Sequence, residues 1–168
     1  MPAPAAPVRC LGVDPGSLAC GFAVVSRWGS RLELVEAGVI RSPRGADFDQ
    51  RILGIHQKLS EVIARTAPDF MAVESPFVEK NAQSALKLGQ IRGGILLTAG
   101  LHGLAVGDYN PMQVKKAVSG YGWADKGQVG RMVMTLLSLK EPLPADAADA
   151  AAVAIGHLMA ARPRPAYS

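Results

Sequence analysis

Four carboxylates in this chain have the type and spacing to do chemistry together: Asp14, Glu74, Asp146 and Asp149. Asp14 closes the run Arg9-Cys10-Leu11-Gly12-Val13 and precedes Pro15-Gly16; Glu74 closes Phe70-Met71-Ala72-Val73 and precedes Ser75-Pro76. Asp146 and Asp149 open an alanine-rich stretch, and a spacing of three places both on one helix face, a turn apart. An acid at the end of a buried strand costs on the order of several kcal/mol unless something neutralises it. No basic residue adjoins any of the four in sequence. Magnesium is the natural counter-charge, because it takes hard oxygen ligands from a few carboxylates and leaves the remaining positions to water and substrate. If the strands ending in Asp14 and Glu74 run parallel as neighbours, with the helix laid over their shared edge, the four acids meet. Two divalent ions roughly 3.5–4 Å apart relieve such repulsion, and a pair of this kind hydrolyses phosphodiesters. Singly, each acid has a plainer explanation: Asp-Pro-Gly is a turn, a strand-end Glu can face water, and first-turn aspartates suit the helix dipole. The combination is what raises the metal-site reading above these.

The elements that would carry these acids are legible from periodicity and turn residues. Arg9 to Val13, Gly21 to Arg27 and Leu32 to Ile40 read as strands, with Trp28-Gly29-Ser30 turning between the second and third. Short connections make the first three strands antiparallel neighbours. A helix from about Asp47 to Ala67 carries Ile52, Ile55, Leu59, Val62 and Ile63 at helical spacing, and Pro68 stops it. Phe70 to Val73 is a fourth strand. Asn81 caps a long helix reaching towards Leu104, apolar on more than one face and so expected to pack on the sheet and on a second subunit. Ala105 to Tyr109 is a fifth strand, and helices start near Pro111, Lys126 and Ala145. The order implies an α/β domain: a five-stranded mixed sheet flanked by helices on both faces.

Length, charge and cysteine usage set the class. The 168 residues, 49% of them hydrophobic, suffice for one domain with a real core. Eighteen Lys and Arg against fourteen Asp and Glu give +4, and gathering acids into one metal site leaves the remaining surface more basic still. Cys10 and Cys20 lie in apolar strands, as buried free thiols of a reducing cytoplasm would. No apolar run approaches the roughly 20 residues of a membrane span. Residues 1–8 read as a disordered leader without signal-peptide character, 9–161 as the domain and 162–168 as a flexible tail. His56, His102 and His157 show no ligand spacing, and His157 reads as a helix-face residue.

The motifs also resemble a family. Gly12-Val13-Asp14-Pro15-Gly16-Ser17, Val73-Glu74 with Phe77, and the run from Asn81 to Gln90 look like a RuvC-type Holliday-junction resolvase. So do Gln113-Val114-Lys115-Lys116, Lys126-Gly127-Gln128-Val129 and Asp146-Ala147-Ala148-Asp149-Ala150, and the resemblance runs in order from about Arg9 to Met159. It implies a ribonuclease-H-like fold and a homodimer. The implied activity is magnesium-dependent endodeoxyribonuclease cleavage of four-way DNA junctions, in recombination and repair, by two ions per subunit, with manganese as a substitute. The implied metal ligands fall on Asp14, Glu74, Asp146 and Asp149. Lys115 and Lys126 match lysines that would hold scissile-strand phosphates, and Phe77 matches an aromatic that inserts at the junction centre. Lys80, Lys87, Arg92, Lys116 and Arg131 are further candidates for DNA-backbone contact. A branch-migration motor complex of the RuvA/RuvB type is the implied protein partner. Two other readings compete: an actin-like ATPase, which needs two copies of the domain, and a catalytically silent junction-binding scaffold, for which four clustered acids would only repel DNA.

Overall fold

Three long strands lead the chain because apolar runs in the first two, and an apolar–charged alternation in the third, end at turn residues that reverse direction. They are β1 (Val8–Asp14), β2 (Ala19–Trp28) and β3 (Arg31–Arg41). Gly29, at φ +60, forms the tight turn between β2 and β3, where a Cβ would be strained. In this computed structural model, which describes residues 6–75, 81–120 and 122–160, the remaining elements follow in the expected order. They are α1 (Phe48–Thr66), β4 (Phe70–Glu74), α2 (Ala82–Leu101), β5 (Ala105–Tyr109), α3 (Pro111–Ser119), α4 (Lys126–Leu136) and α5 (Ala145–Ala160).

The sheet order is β3-β2-β1-β4-β5, antiparallel across β1, β2 and β3 and parallel from β1 through β4 to β5. Being central, β1 is buried on both faces, and its alternating side chains serve two separate cores. Leu11 and Val13 join Met71, Val73, Ile55, Leu59, Ile91 and Ile95 beneath α1 and α2. Cys10 joins Ala23, Val25, Ala72 and the buried stripe of α5 on the opposite face, where α3 and α4 also pack. Each fully buried Leu or Ile here contributes about 1.5–3 kcal/mol. The alanines and glycines do something different: they let α5 sit against the strands. A Cβ on Gly12 would stand 2.0 Å from the Ala150 carbonyl oxygen, and one on Gly21 only 1.9 Å from that of Asp146.

Several strand ends differ by one residue from the sequence reading, and three boundaries differ in ways that matter. Val8, placed in the leader by sequence, already pairs with Arg27 in β1; residues 1–5 and 161–168 lie outside the described residues. β2 extends two residues further at its start than expected, pairing Ala19 with Arg41. The second helix stops at Leu101, short of Leu104, because Gly103 takes the left-handed conformation (φ +68) and Leu104 N–H turns back to the Ala99 carbonyl. The capping by Asn81 is as expected, its side chain accepting from the Gln83 and Ser84 amides. Both cysteines are buried and free. His157 packs on Phe70, and its Nδ1 shares a 2.8 Å hydrogen bond with the Tyr109 hydroxyl, a core arrangement.

Candidate active site

Parallel pairing of β1 with β4 aligns Val13 with Val73, so Asp14 and Glu74, one residue on, leave the sheet side by side at its carboxyl edge. Asp14 also sits opposite Gly21 of β2. Because Gly21 has no side chain, the first turn of α5 rests directly on that position, its Asp146 carbonyl filling the space of the missing Cβ. The same helix face carries Asp149 one turn further along. Sheet edge and helix start therefore bring the four acids into one electrostatic neighbourhood, as the spacing implies. Burial raises the Asp14 carboxyl pKa to about 8, with the charge of Glu74 adding to it, then those of Asp149 and Asp146. Asp14 is hydrogen bonded to Glu74. Glu74 is raised as well, chiefly by burial; the Asp14 hydrogen bond and the charges of Lys126 and Lys115 pull the other way.

The two flanking lysines arrive on helices whose starts the sequence caps firmly, Lys126 at the first position of α4 and Lys115 past the first turn of α3. Asp125 and Gln128 form a capping box at α4, which presents Lys126 as the first helical residue. Its Nζ lies 3.2 Å from Asp149 Oδ2, and Asp149 raises the lysine pKa further. Asn110 and Gln113 cap α3 in the same manner, with Pro111 leading, and Lys115 lies within electrostatic reach of Glu74. Lys87, Lys116 and Arg131 are exposed, and Arg131 folds back towards Gly127 in the first turn of α4. Arg92 is turned elsewhere. Its guanidinium pairs with Asp108 of β5, whose carboxylate also accepts from the Ser75 hydroxyl. The Ser75 amide donates to the Tyr109 carbonyl at 2.8 Å, so the residue after Glu74 is held to β5 twice. Phe77 and Lys80 lie outside the described residues.

Neither Asp108 nor Trp123 was singled out from the sequence. A lone charge in β5 is a faint signal. Trp123, fully in view between the Gly-rich turn and the α4 cap, was the stronger one. The hard, all-oxygen donor set suits a divalent ion such as magnesium, and the raised Asp14 pKa shows that its ionised form is unfavourable here without a counter-charge. As placed, Asp14 and Glu74 engage each other and Lys126 engages Asp149; among the described residues no three such side chains converge on a single point. Side-chain rotation about a fixed backbone frame is what closing on an ion requires.

Residues 10–157 match the family described as "Crossover junction endodeoxyribonuclease RuvC". The chain belongs to the RuvC family. A relative bearing that description in Geobacter metallireducens is 49% identical over 150 residues, covering 89% of this chain and 92% of the relative. Another, from Rhodopseudomonas palustris, is 47% identical over 90% of this chain and 87% of its own. Among solved structures, Thermus thermophilus RuvC in complex with Holliday junction substrate superposes with a TM-score of 0.86 at 35% identity, covering 90% of this chain and 93% of that one. The yeast mitochondrial Holliday junction resolvase Ydc2 shares the fold alone, with a TM-score of 0.65 at 14% identity and 90% and 78% coverage. The RuvC match spans the sheet, α1 to α4 and nearly all of α5, so every described acid of the cluster lies within it.

Proposed function

We propose that the protein is a structure-selective endodeoxyribonuclease that resolves four-way (Holliday) DNA junctions by paired nicks, serving recombination and repair in the cytoplasm. The observation that carries this reading is the meeting of Asp14 and Glu74 with the Asp146–Asp149 face of α5, flanked by Lys126 and Lys115. Asp14 and Glu74 would hold two magnesium ions from the sheet side and Asp146 and Asp149 from the helix side. When bound, such ions lower the pKa of an attacking water and neutralise the departing oxyanion. Asp14 must give up its proton and its hydrogen bond to Glu74 to serve as a ligand. Lys126 then leaves Asp149 for a scissile-strand phosphate, with Lys115 on the neighbouring helix holding the same strand. Water attacks phosphorus in line, the P–O3′ bond breaks, and the products carry a 5′-phosphate and a 3′-hydroxyl.

Paired cutting calls for a homodimer. In support, α2 leaves Leu86, Leu97 and Leu101 exposed, and their spacings of eleven and four put them in one stripe along the helix. A two-fold axis through that stripe relates two carboxylate clusters and suits nicks on two strands of like polarity. The partner that drives branch migration would be of the RuvA/RuvB type. Incubating the protein with a synthetic four-way junction and with a linear duplex of matching sequence, with and without magnesium, tests the proposal. Symmetric, magnesium-dependent nicks confined to the junction are expected. Equal cutting of the duplex, or none of either, would overturn it.

A further inference from the structure

Trp123 is 83% exposed, the most exposed large apolar side chain among the described residues. Its backbone is nevertheless anchored on both sides. Gly122 lies against the first turn of α3, where a Cβ would stand 2.6 Å from Met112 Cγ, and Ala124 is 1% exposed in the α5 core. The indole is thus held outward by fixed neighbours. It stands in the turn joining α3 to α4, between the helix of Lys115 and Lys116 and the helix start of Lys126. Three residues span at most about 10 Å, so the Trp123 backbone lies within that distance of the backbone of Lys126, whose Nζ is 3.2 Å from Asp149. The one nearby carboxylate on this turn, Asp125, is committed to capping α4. A rigid aromatic between cations that track a phosphate backbone is the arrangement that holds unpaired bases by stacking.

We propose that Trp123 is a base-stacking platform beside the scissile phosphate, taking a base that the branch point of the junction leaves unstacked. This rests on the junction-cleaving reading above. Stacking there would set which base can occupy the position next to the cut, making Trp123 a specificity-determining residue. It binds a base face, so a paired and stacked duplex offers it little.

The chain has two tryptophans, and Trp28 lies at the opposite end of the sheet from the carboxylates, so Trp28→Phe leaves Trp123 as the sole reporter. Junction added without divalent metal should quench its emission and shield it from acrylamide, while linear duplex does much less. Trp123→Ala should raise KM for junction cleavage by about 5- to 100-fold, with Trp123→Phe recovering most of the loss. Emission unmoved by a junction that the protein does cut would overturn the stacking claim alone. Equal quenching by duplex, or an unchanged KM in Trp123→Ala, would overturn it too. A protein that neither binds nor cuts junctions removes the stacking claim together with the function beneath it.

Discussion

Asp14 is where burial and like charge act hardest, and its raised pKa has a definite sign. A carboxyl whose folded pKa lies near 8 stabilises the fold at pH values below its unfolded value, near 4, and loses that contribution as pH climbs through the folded value. The metal-free protein should therefore lose stability between roughly pH 4 and pH 8 through this group. Asp14→Asn should raise the metal-free Tm at pH 8 by about 2–8 °C, as relief of about 1–2 kcal/mol does in a domain of this size. The same variant should bind junctions in calcium yet fail to cut them in magnesium; thermal melts and nicking gels on one preparation check both halves. Lys126→Ala separates differently. Its ion pair with Asp149 is largely exposed on the lysine side and contributes little to folding, so folding stability should hold within about 1 kcal/mol. Junction affinity should fall, with the salt dependence shallower by about one phosphate contact, measured as binding across a salt series. The acids were legible because each charge closes or opens an apolar stretch. Arg92 was a candidate for the DNA backbone, and the packing of α2 on β5 places its guanidinium against Asp108, a pairing the sequence did not show.

At the scale of elements, helix α5 sits where it does because β1 and β2 offer it glycines. Gly21→Ala forces a methyl into the Asp146 carbonyl, and Gly12→Ala does the same at Ala150, so α5 must lift from the sheet. Both should destabilise by about 1–3 kcal/mol, as overpacking does. Gly21→Ala should in addition weaken magnesium binding beyond its share of stability loss, because it moves the acids' own turn; calorimetric titration beside denaturant melts distinguishes the two. The strands and the helix starts could be read from turn residues, caps and apolar runs, whereas the parallel pairing of β1 with β4 entered the sequence reading only as a condition that the structure meets. The alanines of α5 already implied a close approach to the sheet; what the sequence did not yield was that this contact depends on a Cβ absent from the opposite strands, at Gly12 and Gly21. The end of α2 was also misplaced, since apolar periodicity ran on through Leu104 while Gly103 broke the backbone.

At the scale of the molecule, the proposed function assigns the exposed leucine stripe of α2 to assembly and the basic flank of the carboxylates to DNA. Leu97→Glu with Leu101→Glu should leave the fold intact and shift sedimentation to a monomer, and junction nicks should then become single and uncoupled. In the proposed dimer, neither carboxylate cluster would cut until it gathers its cations. Anomalous diffraction from manganese-soaked crystals examines that directly. Two manganese peaks roughly 3.5–4 Å apart among Asp14, Glu74, Asp146 and Asp149, with Lys126 withdrawn from Asp149, are the expected result. Manganese absent from these four side chains, or bound by other residues, would contradict the account.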